Sequence, residues 1–240
     1  MSNLVLILGE SGSGKSTSIK GLDPKETVVL NILGKRLPFK GSNALYNAEN
    51  KNLVGKEKLS NTLDTNGQPV EAYNNVINRI VTISDKMPHI KNIVIDDSTY
   101  IMRNEFFNHV KEKGYDKYNS LADHFRKVID ACAVQRDDLN IFMLMHMETV
   151  ESDGSIISYK SSSVGKLLDK LYKPEENTAI TLVAMPKFDN KGTASYGFYT
   201  HRCIVNGIEI PAKTPAEMFS DDFIPNDLAL VVKAMNEYYN

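Results

Sequence analysis

The stretch Gly9-Glu10-Ser11-Gly12-Ser13-Gly14-Lys15-Ser16-Thr17 combines residue types and spacing that can do one kind of chemistry. It matches G-x-x-x-x-G-K-[ST] at every fixed position. The glycines let successive backbone N–H groups turn toward phosphate oxygens, and a helix opening at Lys15 adds its positive end. Lys15 is then placed for the β- and γ-phosphates, and the Ser16 hydroxyl for Mg²⁺. Residues 3–8 form an apolar run rich in strand formers, so the motif lies between a buried strand and a helix start. That context implies a site for a nucleoside triphosphate, with all nine residues from Gly9 to Thr17 in contact with it.

A second constellation is Asn92-Ile93-Val94-Ile95-Asp96-Asp97-Ser98-Thr99. Branched apolar residues followed by an acid describe a buried parallel strand that delivers a carboxylate at its C-terminal tip. Asp96 is the expected Mg²⁺ partner of Ser16. Asp97 is the nearest carboxylate able to orient an attacking water; the competing reading is a helix N-cap at Asp97 or Ser98. A third apolar strand, residues 139–145, ends in His146. In one branch of P-loop proteins an extra strand lies between the P-loop strand and the acidic strand, with its tip facing the γ-phosphate. His146 then senses that phosphate, unless a nearby loop carbonyl merely satisfies it.

These residues must be carried by an alternating scaffold. After a short helix closed by Gly21 and Pro24, residues 27–32 read as a second buried strand leading into the basic turn Lys35-Arg36-Leu37-Pro38-Phe39. Residues 40–68 are rich in Asn, Lys and Gly without a steady period, which predicts a long surface excursion. Helices follow over 70–81, 100–113 and 121–132, the first and last marked by helical apolar spacing. Residues 147–165 read as a mobile loop or hairpin, 166–172 as a lysine-bearing helix, and 178–185 as the last central strand. A strand over 195–204, a hairpin at Asn206-Gly207 and a helix capped at Asn226-Asp227 end the chain. Strands alternating with helices imply an α/β fold, a doubly wound and mostly parallel sheet with antiparallel C-terminal strands, all in one domain over 1–240.

Composition narrows the partners. The 240 residues are 42% hydrophobic and 24% charged with a net charge of −2, as in an ordinary soluble protein without generalised attraction to nucleic acid. Cys132 and Cys203 lack metal-ligand spacing and read as reduced core residues of a cytoplasmic protein. No apolar run approaches a membrane-spanning length, and a strand within three residues of Met1 leaves no room for a signal peptide.

Among P-loop classes, a GTPase would carry Asn-Lys-x-Asp, whereas Asp189-Asn190-Lys191-Gly192 lacks the acid. A small-molecule kinase needs an arginine-bearing lid, and Arg36, Arg79, Arg103, Arg126, Arg136 and Arg202 are scattered singly. A RecA-like ATPase accounts for the acid pair, the polar tip at His146 and the antiparallel tail. A nucleotide-gated protein-binding module with little or no hydrolysis is the alternative.

The strings 9–18, Lys35-Arg36-Leu37-Pro38-Phe39, 93–99, the strand ending in His146, and Ala212-Lys213-Thr214-Pro215 before Met218-Phe219 resemble the phage AAA-family nucleotide-binding proteins. These are small RecA-like ATPases placed with phage single-strand annealing and recombination functions. The resemblance implies ATP hydrolysis with Mg²⁺, single-stranded DNA, assembly into a ring or filament, and an annealing or single-strand-binding protein as a partner. RecA-like enzymes carry a catalytic glutamate after the second core strand. No acid follows Leu30 before the turn here, which leaves Asp97 in that role.

Two expectations concern surfaces. Tyr159 and Lys160 offer an aromatic face and a cation for DNA on the 151–165 loop, continued by Lys166 and Lys170. The bland reading is a core tyrosine beside a solvated helix face. No second cation besides Lys15 is evident in the first 150 residues, so a neighbouring subunit is expected to supply one from Lys213 or Arg202. The alternative pairs Arg202 with a surface acid and leaves Lys213 solvated.

Overall fold

The computed structural model describes residues 1–111, 114, 116–164 and 172–239. Its centre is the P-loop strand β1 (Asn3–Gly9), every residue of which pairs in parallel with β7 (Asn140–Ser152). On its other side β1 pairs in parallel with β9 (Ile180–Phe188). Beyond β7 come β6 (Asn92–Asp96) and then β2 (Thr27–Asn31), both parallel to it. The acidic strand is therefore separated from the P-loop strand by β7, the order expected for a RecA-like sheet. Strands β10 (Ala194–Tyr199) and β13 (Phe223–Pro225) extend the β9 side through antiparallel pairing.

Both faces of this sheet are covered, which is why its strands read as continuous apolar runs rather than alternating ones. In β1 the side chains of Leu4, Leu6 and Leu8 enter one core with Val76, Ile80, Phe125 and Ile129. Those four come from α2 (Ala72–Lys86) and α4 (Asp116–Ala133). Val5 and Ile7 enter the opposite core with Ile19, Val231 and Met235, the last two from the closing helix α5 (Leu228–Tyr239). Helix α3 (Thr99–Asn108) runs from the tip of β6 and packs on α4. Glu105 of α3 and Glu71 ahead of α2 converge on His124 of α4, whose ring stacks on Tyr73 at 3.9 Å, so one imidazole joins three helical segments. Among the described residues no helix is long and apolar enough to cross a membrane.

The excursion expected over 40–68 does run mostly along the surface, but it is anchored at a few buried points. A short helix α1 (Ser42–Leu45) leads to β3 (Leu53–Val54), which joins β2 in parallel with Val29 opposite Leu53. Tyr46 and Leu59 are buried, and buried Asn52 donates to the carbonyls of Pro24 at 2.9 Å and Leu45 at 2.8 Å. Side-chain amides bonded to backbone shape this segment, so it carries no hydrophobic period to detect. The small strands β4 (Thr62–Leu63) and β5 (Pro69–Val70) pair outside the main sheet.

Of the two readings of 147–165, the described residues 147–164 show the hairpin. β7 continues past His146 to Ser152, turns at Asp153 and Gly154, both at positive φ, and returns as β8 (Ser155–Ser161). This arm is solvated on much of its surface, so it lacks the apolar run that announced the core strands. β12 (Ile208–Ile210) adds to β8 in parallel and forms the Asn206-Gly207 hairpin with β11 (Cys203–Val205). The strand expected over 195–204 breaks between Tyr199 and Cys203, where buried Thr200 donates its hydroxyl to the Asp221 carbonyl at 2.6 Å. The helix expected over 166–172 lies, but for Tyr172, outside the described residues.

Candidate functional site

Parallel strands place their C-terminal tips on one edge, and here that edge gathers the chemistry. Gly9 lies directly opposite His146 on β7, while Asp96 ends β6 one strand further on. Beyond Gly9 the loop turns through Gly12 at φ 79° and Gly14 at φ 94°, a region closed to most side chains. A short 3-10 helix, Lys15–Gly21, follows. The Lys15 ammonium lies inside the loop's bend and donates to the carbonyls of Gly9 at 2.6 Å and Glu10 at 2.8 Å. Burial pushes its pKa down to about 8, with Asp97 and Asp96 acting against that shift.

Ser16 and Asp96 meet although 80 positions separate them: the hydroxyl donates to Asp96 Oδ1 at 2.7 Å. Asp96 is 5% exposed, and burial pushes its pKa up to about 6 despite the Ser16 hydrogen bond. The next residue, Asp97, has φ 59°, a left-handed conformation that Asp tolerates better than most residues. This twist directs its carboxylate to two partners, Lys35 Nζ at 3.4 Å and His146 Nε2 at 3.3 Å. The His146 contact is close but poorly aligned, and Nε2 makes no other hydrogen bond. Burial pulls the Asp97 pKa up, but His146 and Lys35 outweigh it and hold the carboxyl below its ordinary range.

The residues after Asp97 fix this geometry. Ser98 donates from its amide and its hydroxyl to the Leu144 carbonyl, and the Thr99 hydroxyl accepts from the His146 amide at 2.9 Å. The start of α3 is thus bolted to β7, and the Asp97 side chain is not spent on capping. Tyr100 meets the His146 ring edge-on at 5.7 Å.

Five further residues, to which the sequence assigned no role at this site, line the same cavity of about 440 Å³: Lys35, Arg36, Pro38, Tyr196 and Asn226. Lys35 arrives on the turn after β2, which buried Asn31 locks by donating to the Lys35 carbonyl and accepting from the Gly34 amide. Arg36 lines the cavity beside it. The expectation that no cation besides Lys15 comes from the first 150 residues therefore does not hold. Tyr196 of β10 stands near Gly14, and the Asn226 side-chain amide donates to the Gly14 carbonyl at 2.8 Å. Of the pair Asn226-Asp227 expected to cap the closing helix, Asp227 does so, accepting from the Ala229 amide at 2.8 Å, and Asn226 is left for the P-loop.

A family model described as an AAA domain matches residues 1–173, nearly three quarters of the chain. The chain belongs to this AAA-domain family. Among solved structures it is similar to "a prototypical ATPase from the type III secretion system of pathogenic bacteria", at 13% identity and a TM-score of 0.45 over 79% of this chain. The likeness spans 51% of that protein, about half its length. No curated protein matches.

The AAA-domain match contains the P-loop, Asp96, Asp97, His146 and Lys35, whereas Tyr196 and Asn226 reach the cavity from beyond the matched residues. The other expected site residues lie apart from it. Arg202 pairs with Glu209, the surface acid of the alternative reading. Lys213 is not simply solvated: its backbone bridges Thr181 on β9 and its ammonium donates to the Glu175 carbonyl at 2.8 Å. Neither lines the cavity. Tyr159 is half-buried against the core and Lys160 pairs with Glu148 across the β7–β8 arm at 3.0 Å, so both lie on a paired strand and not on a mobile loop. Lys166 and Lys170 fall outside the described residues.

Proposed function

We propose that this AAA-domain protein hydrolyses ATP with Mg²⁺ and that single-stranded DNA governs the turnover. The observation that supports hydrolysis best is the Ser16–Asp96 hydrogen bond, with Asp97 and His146 facing the same cavity. A hydroxyl and a buried carboxylate are hard oxygen donors of the kind Mg²⁺ takes, and the raised proton affinity of Asp96 marks a carboxylate in want of a cation. Ser16 and Asp96 would hold the ion, which when bound draws charge from the β- and γ-phosphates.

The chain's own residues do the rest. P-loop amides cradle the phosphates, and Lys15 exchanges the Gly9 and Glu10 carbonyls for phosphate oxygens. Asp97, held by its left-handed backbone at the cavity wall, orients the attacking water. His146, 3.3 Å from Asp97, registers whether the γ-phosphate is present.

The DNA part rests on the resemblance to the phage AAA-family proteins. In this reading the strand follows the β7–β8 arm, where Lys160 exchanges Glu148 for a backbone phosphate, and Lys166 and Lys170, next in the chain, contribute further cations. Subunits assemble in a ring or filament, alongside an annealing or single-strand-binding protein. The deciding experiment is ATP turnover with Mg²⁺, with and without single-stranded DNA. Turnover raised by DNA is expected. Turnover that DNA leaves unchanged removes the DNA part, and none under either condition removes hydrolysis.

A further inference from the structure

We propose that Lys35 is the second cation of the phosphate site, acting within its own subunit, and that it exchanges Asp97 for the γ-phosphate when a triphosphate binds. This rests on the reading of the cavity as an ATP site. Three observations carry it. Lys35 lines the same cavity as the P-loop, and of the two basic residues that do so besides Lys15, Lys35 and Arg36, it is the one paired with Asp97. Its ammonium stands 3.4 Å from Asp97 Oδ2, and Asp97 directly follows Asp96, the carboxylate bonded to Ser16. Its backbone is fixed while its side chain lies largely in solvent: Asn31 bonds the Lys35 carbonyl and the Gly34 amide, and the Lys35 side chain is 65% exposed.

These facts make a switch with a stated direction. An exposed ion pair is weak, because water screens it and the long side chain loses freedom in holding it. A terminal phosphoryl group carries more charge and more acceptor oxygens than one carboxylate, so a flexible ammonium within reach of both goes to the phosphate. Two consequences follow at once. Lys35 then neutralises charge on the γ-phosphoryl oxygens. Asp97 loses its cation and is left with His146, whose Nε2 needs only a better alignment to donate to it. The carboxylate is thereby freed to hold water only while a γ-phosphate is bound, and release of the phosphate restores the Lys35–Asp97 pair. Such coupling keeps Asp97 masked in the absence of substrate. It also gives the turn after β2, the place where RecA-like enzymes keep an acid, a basic residue with a role of its own.

The exchange predicts a preference for tri- over diphosphate that depends on one side chain. Affinities of a non-hydrolysable ATP analogue and of ADP, both with Mg²⁺, are measured by calorimetry for the wild type, Lys35→Ala and Lys35→Arg. Lys35→Ala is expected to lose about tenfold in analogue affinity, the scale of one charged hydrogen bond, and to keep ADP affinity within about twofold. Lys35→Arg is expected to retain most of the discrimination. Turnover of Lys35→Ala should fall about 100-fold, as when one preorganised donor to a transition-state oxygen is removed. Mixing Lys15→Ala with Lys35→Ala subunits should restore nothing, since each subunit lacks one essential cation. An unchanged analogue-to-ADP ratio in Lys35→Ala overturns the exchange, and recovery of activity on mixing overturns action within one subunit. A wild type that binds both nucleotides without turnover defeats the hydrolytic reading, and the affinity ratio alone then decides the role of Lys35.

Discussion

Replacing Asp96 by asparagine should make the metal-free protein more stable while removing its response to Mg²⁺. The carboxyl is 5% exposed and its pKa is raised from 3.8 to about 6, chiefly by burial. Between pH 3.8 and about 6 the folded chain keeps this proton and the unfolded chain has lost it. Raising the pH through that window therefore removes stability, and at neutral pH the full penalty applies. Two pH units at about 1.4 kcal/mol each give a penalty of about 3 kcal/mol. Asparagine keeps the oxygen that accepts from Ser16 and carries no charge to desolvate. In EDTA at pH 7.5, Asp96→Asn should then unfold about 3 kcal/mol harder, or roughly 6–12 °C higher for a chain of this size. The advantage should shrink as the pH falls below about 6 and vanish near pH 4. Denaturant titrations of both proteins across that range read it directly. With Mg²⁺ and ATP in excess, only the wild type should gain. An Asp96→Asn protein that is equally stable or weaker in EDTA at pH 7.5, or an advantage independent of pH, would refute the claim that the site holds an uncompensated carboxylate.

Three further outcomes are expected. Lys15→Ala should abolish turnover and weaken ATP binding at least tenfold with the circular dichroism spectrum intact, since backbone amides cannot replace its charge; normal turnover would end the P-loop assignment. Asp97→Asn should leave ATP affinity within about threefold and reduce kcat by about 100-fold or more, whereas an equal loss of binding in Asp97→Asn and Asp96→Asn would make Asp97 a metal ligand. Asn226→Ala should raise the Kd for ATP several-fold by releasing the Gly14 carbonyl, with a stability loss of about 1 kcal/mol in thermal unfolding. An unchanged Kd would show that the P-loop holds its shape without the C-terminal segment.

The phosphate-binding chemistry was legible because it is local. A P-loop uses contiguous backbone amides and one following lysine, so nine consecutive residues state it completely. The strands that carry Asp96 and His146 were equally plain, because a parallel strand buried on both faces must be apolar throughout and its polar tip then stands out. The placement of β7 between β1 and β6 was expected by likeness to one branch of P-loop proteins, and the pairing agrees with it.

What tertiary structure decided are the contacts between residues far apart in the chain. Lys35 meets Asp97 across 62 positions, and Asn226 meets Gly14 across 212. Each of these side chains has a sufficient local explanation, a basic turn or a helix cap, so nothing in its neighbourhood signals the distant partner. The same holds for segments built by polar bonds and not by burial. The 40–68 region is organised by asparagine amides bonded to backbone, and the β7–β8 arm by ladder hydrogen bonds between half-solvated strands. Hydrophobic periodicity reports only what a chain buries, so it sees the core that carries this site and is blind to the polar turns that complete it.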